Sequence, residues 1–229
     1  MDEKKLVEHL FNLGVHLGHK TNRVYPKAKK YIYTIQNGVS VIDLQQTVQL
    51  LDKAKDYISS AAKNGKTLLV VVTKKIAAEK TEEICQKNNV FYITLKWPAG
   101  LLTNFETIYK NVKKLEKLKE EKEKGVWNNL VKHERLKLNK RLKKIEKFYK
   151  GIVGLSKLPD ILFIVDIKKE KNAVDEARKL NIPIVALVDT NVNPDLVDYP
   201  IPANDDLLTS IEFFVKEIVE TYNQNRVKK

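Results

Sequence analysis

Residues 158–206 read LPDILFIVDIKKEKNAVDEARKLNIPIVALVDTNVNPDLVDYPIPANDD. Two apolar runs, ILFIV at 161–165 and IVALV at 184–188, are introduced by Pro159-Asp160 and Pro183. Residues 170–180 between them carry a charged helical pattern. A short last strand is expected at 198–201, and a long final helix from Asp205 to about Asn225. The same alternation runs upstream: TLLVVV at 67–72 reads as a strand, 75–87 as a helix, and 90–95 as a second strand. A strand with one wet face alternates apolar and polar residues. These runs do not, so helices cover both faces of a parallel sheet. Right-handed crossovers then make a doubly wound, three-layer α/β fold.

The N-terminal third prefaces this domain. Residues 2–13 place Leu6, Leu10, Phe11 and Leu13 at helical spacing. Gly14 and Gly18 bracket an expected loop that holds His16 and His19. Residues 31–35 and 39–42 flank Asn37-Gly38, a strong two-residue hairpin signal. Residues 44–63 form a helix with Leu44, Val48, Leu51, Ala54, Lys55 and Ile58 along one face, ended by Gly65.

Residues 105–150 break the α/β alternation. They are too long for one crossover helix. Ile108, Val112, Leu115 and Leu118 form one heptad-like seam, and Val131, Leu138, Leu142, Ile145 and Tyr149 form a second. GVWNN at 125–129 interrupts them. The expectation is an inserted antiparallel coiled-coil helical hairpin (105–150), projecting from an α/β domain built of residues 1–104 and 151–229.

Charge narrows the function. There are 42 Lys+Arg against 29 Asp+Glu, a net +13 with a pI near 9.5. Such a field attracts polyanions. The excess is clustered: residues 105–150 hold sixteen basic and seven acidic residues, and residues 9–42 hold five basic residues and no acid. Residues 226–229 add three more positive charges. KEEKEK at 119–124 reads as a charged helix that only supports itself. KLNKRLKK at 137–144 contains no acid and reads as a clamp for phosphates. Apolar runs of five residues cannot span a membrane. Glu8 and His9 interrupt any signal-peptide core. One cysteine, Cys85, excludes an internal disulfide and a cysteine zinc cage, and points to a reducing cytoplasm.

Enzyme motifs are missing. Gly65-Lys66-Thr67 precedes its strand and lacks the earlier glycine of a P-loop. No dinucleotide fingerprint or nucleophile elbow is present. The carboxyl ends of the strands carry Thr73, Lys74, Lys75, Lys96, Trp97, Asp166, Asp189, Thr190 and Asn191. Asp166, Asp189, Asp205 and Asp206 could hold a divalent ion, with His19 joining them if the N-terminal loop folds back. The alternative reads Asp205 or Asp206 as a helix N-cap and Asp189 as a turn residue.

The chain resembles the bacterial-type small-subunit ribosomal protein S-two family. The resemblance runs through GVHLGHKTNRVYPKAKKYIYTIQNGVSVIDL (14–44), LLVVVTKKIAAE (68–79), KWPAGLLTN (96–104), the stretch quoted above, and the basic hairpin. It departs at Pro98-Ala99. The resemblance implies a flavodoxin-like sheet with a coiled-coil hairpin and no catalysis. It implies a cytoplasmic protein at the head–body junction of the small subunit. Its partners would be small-subunit ribosomal RNA, neighbouring small-subunit proteins and ribosomal protein S-one, with no membrane and no small-molecule substrate. No cofactor is required. Some relatives look to bind zinc, and the matching positions here are His19, Asp189, Asp205 and Asp206.

With RNA as the partner, the candidate contacts are Lys20, Arg23, Lys27, Lys29 and Lys30 before the hairpin; Lys74, Lys75, Lys96, Trp97 and Asn104 after the strands; and Lys137, Lys140, Arg141, Lys143 and Lys144 on the arm. Trp97 has two readings, a buried anchor between domain and arm or a stacking surface for RNA. Two other function classes fit the sequence less closely. One is an α/β enzyme acting on a phosphorylated or nucleotide substrate at the strand ends. The other is a free-standing RNA-binding or coiled-coil adaptor.

Overall fold

The computed structural model describes residues 3–227. The chain opens with α1 (Glu3–Asn12), followed by β1 (Leu17–Lys20), β2 (Ile32–Gln36) and β3 (Val39–Ile42). These three strands form an antiparallel sheet in the order β1-β3-β2. Asn37 and Gly38 both take positive φ, 50° and 75°. That is the backbone a two-residue hairpin with right-handed twist requires. The expected loop around His19 is instead strand β1, with Leu17 opposite Val41 and Lys20 opposite Val39. LGHK has little strand propensity of its own, so the pairing with β3 decides its conformation.

The main body follows with α2 (Leu44–Lys63), β4 (Leu68–Val71), α3 (Lys75–Lys87), β5 (Phe91–Ile93), α4 (Phe105–Glu123), α5 (Lys132–Tyr149), β6 (Ile161–Val165), α6 (Lys171–Lys179), β7 (Ile184–Val188), β8 (Tyr199–Pro202) and α7 (Leu208–Asn225). The five-stranded sheet is parallel throughout, in the order β5-β4-β6-β7-β8. Counted within the sheet this is 2-1-3-4-5, the doubly wound order of flavodoxin-like folds, with its switch point between β4 and β6.

Strand alternation splits the core in two. Leu68, Val70 and Val72 pack with α2, α3 and α7 on one face. Leu69 and Val71 pack with α6, Trp97 and the base of α4 on the other. Every residue of β4, β6 and β7 is buried. Cys85 is part of the first core, and burial pushes its thiol up to about 12.

A third cluster runs up α4 and α5: Leu115, Leu118, Trp127 and Leu142, with Leu138 and Ile145 alongside. Lys119 of α4 meets Glu146 of α5 at 2.7 Å. The α4 seam is buried as read from the sequence. Val131 is not part of the second seam. It stands just before α5 and is 66% exposed.

The final helix starts at Leu208 rather than Asp205. Asn204 Oδ1 accepts from the amides of Asp206 and Leu207, and this turn holds the chain short of the helix. Neither Asp205 nor Asp206 caps α7. No helix among the described residues is long and apolar enough to cross a membrane. Lys228 and Lys229 lie outside the described residues, as does the expected start of the first helix at Asp2.

Candidate functional site at the strand ends

The carboxyl ends of β4, β6, β7 and β8 converge on one charged cluster. Lys74 follows β4 and starts α3. Its Nζ lies 2.7 Å from Asp205 Oδ1, 2.6 Å from Asp206 Oδ1 and 3.2 Å from Asp166 Oδ2. Burial alone would lower the Lys74 pKa, but the facing carboxylates outweigh it and hold the ammonium above its ordinary value. Asp205 is 3% exposed. Burial pushes its carboxyl up to about 7, with Lys74 opposing and Asp189 and Asp166 adding to the rise. Asp166 sits in the left-handed region at φ 66°, and its Oδ1 accepts the Lys169 amide at 2.9 Å. Thr73 donates its hydroxyl to the buried Glu170 carboxylate. Burial raises the Glu170 pKa.

His19 reaches this cluster from the small sheet. Gly18 lets it do so: a Cβ there would stand 2.8 Å from Thr190 Cγ2 and 3.0 Å from the Ser40 carbonyl. The His19 amide donates to Thr190 Oγ1 at 2.9 Å. Its Nδ1 lies 3.1 Å from Asp189 Oδ2, and its Nε2 lies 3.6 Å from Asp206 Oδ2 and 2.9 Å from Asn191 Nδ2. The neighbouring Asp189 carboxylate holds the imidazole above its ordinary pKa, although burial opposes.

The donors fit a divalent ion. His19, Asp189 and Asp206 each offer one ligand atom, all within 4.8 Å of one another. Asp189 Oδ2 is buried and makes no well-directed hydrogen bond despite the nearby ring, so a strong acceptor remains there for a cation. One imidazole and two carboxylates suit zinc or manganese. Asp205, the fourth candidate, is turned instead to Lys74.

The candidate RNA contacts separate into two groups. Lys20, Arg23, Lys27, Lys29, Lys30, Lys75, Lys96, Asn104, Lys137, Lys140, Arg141, Lys143 and Lys144 are exposed. Lys27 and Lys30 reach Asp195 at 2.7 and 3.6 Å. Lys137, Lys140, Arg141, Lys143 and Lys144 make no ion pair among the described residues, whereas Lys119 and Lys124 are paired with Glu146 and Glu120. On α5 the spacing of Lys137, Lys140, Arg141 and Lys144 gathers them on one stripe, turned away from buried Leu142.

Two candidates do not belong to that surface. Lys74 is 12% exposed at its side chain and neutralised by three aspartates, so it offers no free cation to a phosphate. Trp97 is 5% exposed, and its indole N–H donates to Glu176 Oε1 at 3.0 Å. It is the buried anchor, not a stacking surface.

Glu176 was missed from the sequence. Its two oxygens accept the Trp97 indole and the amides of Gly100, Leu102 and Thr103 at 2.8–3.3 Å. Burial would raise its pKa, but these donors outweigh it and hold the carboxylate below its ordinary value. A signal existed: Glu176 stands three residues after the apolar Ala173 and so shares a helix face with it.

Residues 10–225 match the family model described as Ribosomal protein S2. Proteins called small ribosomal subunit protein uS2 are similar over nearly the whole chain. The one from Dictyoglomus thermophilum is 45% identical over 215 residues, covering 94% of this chain and 87% of that protein. The one from Dictyoglomus turgidum is 43% identical over 221 residues, covering 96% and 90%. The one from Wolinella succinogenes is 44% identical over 217 residues, covering 95% and 80%.

Proposed function

The chain belongs to the ribosomal protein S2 family, a structural, non-enzymatic component of the small ribosomal subunit, and from that premise we propose that it binds small-subunit ribosomal RNA at the head–body junction and supports docking of ribosomal protein S-one and translation initiation. It is a cytoplasmic protein on the same ground. In this reading residues 105–150 act as an inserted antiparallel coiled-coil arm on an α/β domain of residues 1–104 and 151–229. The observation that carries it is the stripe of Lys137, Lys140, Arg141 and Lys144, exposed and without carboxylate partners among the described residues. Cations left unpaired in this way gain by releasing counterions from a phosphate backbone. Lys20, Arg23 and Lys29 extend the basic surface onto the domain, and Lys75, Lys96 and Asn104 add exposed polar groups beside the sheet.

His19, Asp189 and Asp206 would hold zinc or a similar ion. When bound, the ion supplies positive charge that neutralises the aspartates and ties β1 to the β7 end. Asp205 contributes by keeping Lys74 in place. On β2 of the small sheet Tyr33 and Ile35 are exposed at alternate positions, an apolar pair suited to a protein partner such as ribosomal protein S-one.

Hydroxyl-radical footprinting of the full chain on small-subunit ribosomal RNA tests the reading. Protection of discrete backbone segments is expected, lost from one segment when the α5 stripe is changed to glutamine. Uniform cleavage with and without protein would contradict RNA binding.

A further inference from the structure

A groove of about 380 Å³ lies beside the strand-end cluster. It runs between Tyr25, the segment after β6, the first turn of α6 and the β7–β8 connection. Its floor is apolar: Ile167, Val174 and Val192 are 3%, 1% and 6% exposed. Tyr25 forms one wall and is 37% exposed. That wall is fixed, because the Tyr25 amide donates to the Thr190 carbonyl at 2.8 Å and Lys27 holds Asp195 at 2.7 Å. Lys168 and Lys171 stand exposed at the rim. Among the described residues neither makes an ion pair, and Asp175 is the one carboxylate in the lining.

The combination selects an occupant. The apolar floor and aromatic wall favour a flat, weakly hydrated group. The two free cations at the rim favour negative charge on either side of that group. A volume at the small end of ligand sites suits one nucleotide, not a duplex or a helix. An RNA strand supplies both parts in one repeating unit, and unstacked bases are what proteins read on RNA. We infer that this groove takes a single unstacked base of small-subunit RNA, stacked on Tyr25, with Lys168 and Lys171 on the flanking phosphates. The inference rests on the RNA-binding reading above and adds a specific contact to it.

The test uses the full chain and small-subunit ribosomal RNA, with affinity measured at several salt concentrations. Tyr25→Ala is expected to weaken binding about tenfold or more without changing the salt slope, because stacking carries no counterion release. Tyr25→Phe should bind as the wild type does. Lys168→Gln with Lys171→Gln should lower the slope by about one to two. Dimethyl sulfate probing should reveal one base that is protected by the wild type and reactive with Tyr25→Ala. Binding by Tyr25→Ala within twofold of wild type overturns the groove contact and leaves the RNA-binding reading intact. A wild-type chain that does not bind the RNA at all overturns the reading itself and the groove contact with it. Weakening by Tyr25→Phe equal to that by Tyr25→Ala would assign the effect to the hydroxyl and also overturn stacking.

Discussion

Trp97 and Glu176 show what a single pair can hold in place. The carboxylate gathers four N–H donors from the segment that leads from β5 into α4. Trp97→Ala empties a fully packed site and should cost about 3–5 kcal/mol in urea unfolding. Lys96→Gln, exposed next door, should stay within about 0.5 kcal/mol. Glu176→Gln leaves the buried donors with a weaker acceptor and should cost about 1–3 kcal/mol at pH 7. Because the folded pKa of Glu176 lies below its unfolded value, its stabilisation is present above about pH 4.3 and is lost as pH falls through the folded pKa. The gap between wild type and Glu176→Gln should therefore narrow between pH 5 and pH 3. A constant gap would mean that the carboxylate charge is not what the donors recognise. The partnership was not legible in the sequence, since Trp97 and Glu176 stand 79 positions apart. The sequence offers a tryptophan near a strand end, which fits core anchoring and, less closely, RNA stacking. His19 differs, because the family resemblance marked it as a candidate before any contact was visible. Zinc should raise the melting temperature of the wild type and not of His19→Ala, in line with binding to the folded state alone. An equal rise in both would remove His19 from the ion's ligands.

Elements were more legible than contacts. Continuous apolar strands carry their own signature, so β6 and β7 occupy the residues read as strands, and α3 runs from Lys75 to Lys87 as read. The misses lie where another part of the chain decides. β1 is made by β3, and the start of α7 is set by the Asn204 side chain rather than by the aspartates beside it. On α5 the apolar positions mark the packed side, and the lack of acids in 137–144 marks the cations left free, while the Lys119–Glu146 pair between the two helices shows only in three dimensions. Lys119 and Lys124 are paired with Glu146 and Glu120, and among the described residues the 137–144 cations make no ion pair. Replacing Lys140, Arg141, Lys143 and Lys144 with glutamine should weaken binding to small-subunit ribosomal RNA and lower the salt slope by up to about 3.6, at roughly 0.7–0.9 per phosphate contact. Stability should change little, because these side chains are exposed. An unchanged slope would mean that this face does not meet RNA.

At the scale of the whole molecule, the chain combines a strand-end cluster whose lysine is ion-paired to three aspartates with a net charge of +13, nine units of it carried by residues 105–150. Where an α/β enzyme would keep a crevice for substrate, Lys74 and its three aspartates fill the switch point of the sheet with ion pairs. The fold class was legible because the run pattern is nearly independent of tertiary detail. The chemistry of the strand ends was only half legible, because spacing brings acids near one another without saying which one takes the lysine. The charge surplus has a direct consequence in the cell: the chain should reside on a polyanion. Sedimentation of cell lysate through a sucrose gradient after a high-salt wash measures this. The chain is expected to stay with the small ribosomal subunit. A chain recovered wholly in the free fractions at the top of the gradient would contradict it.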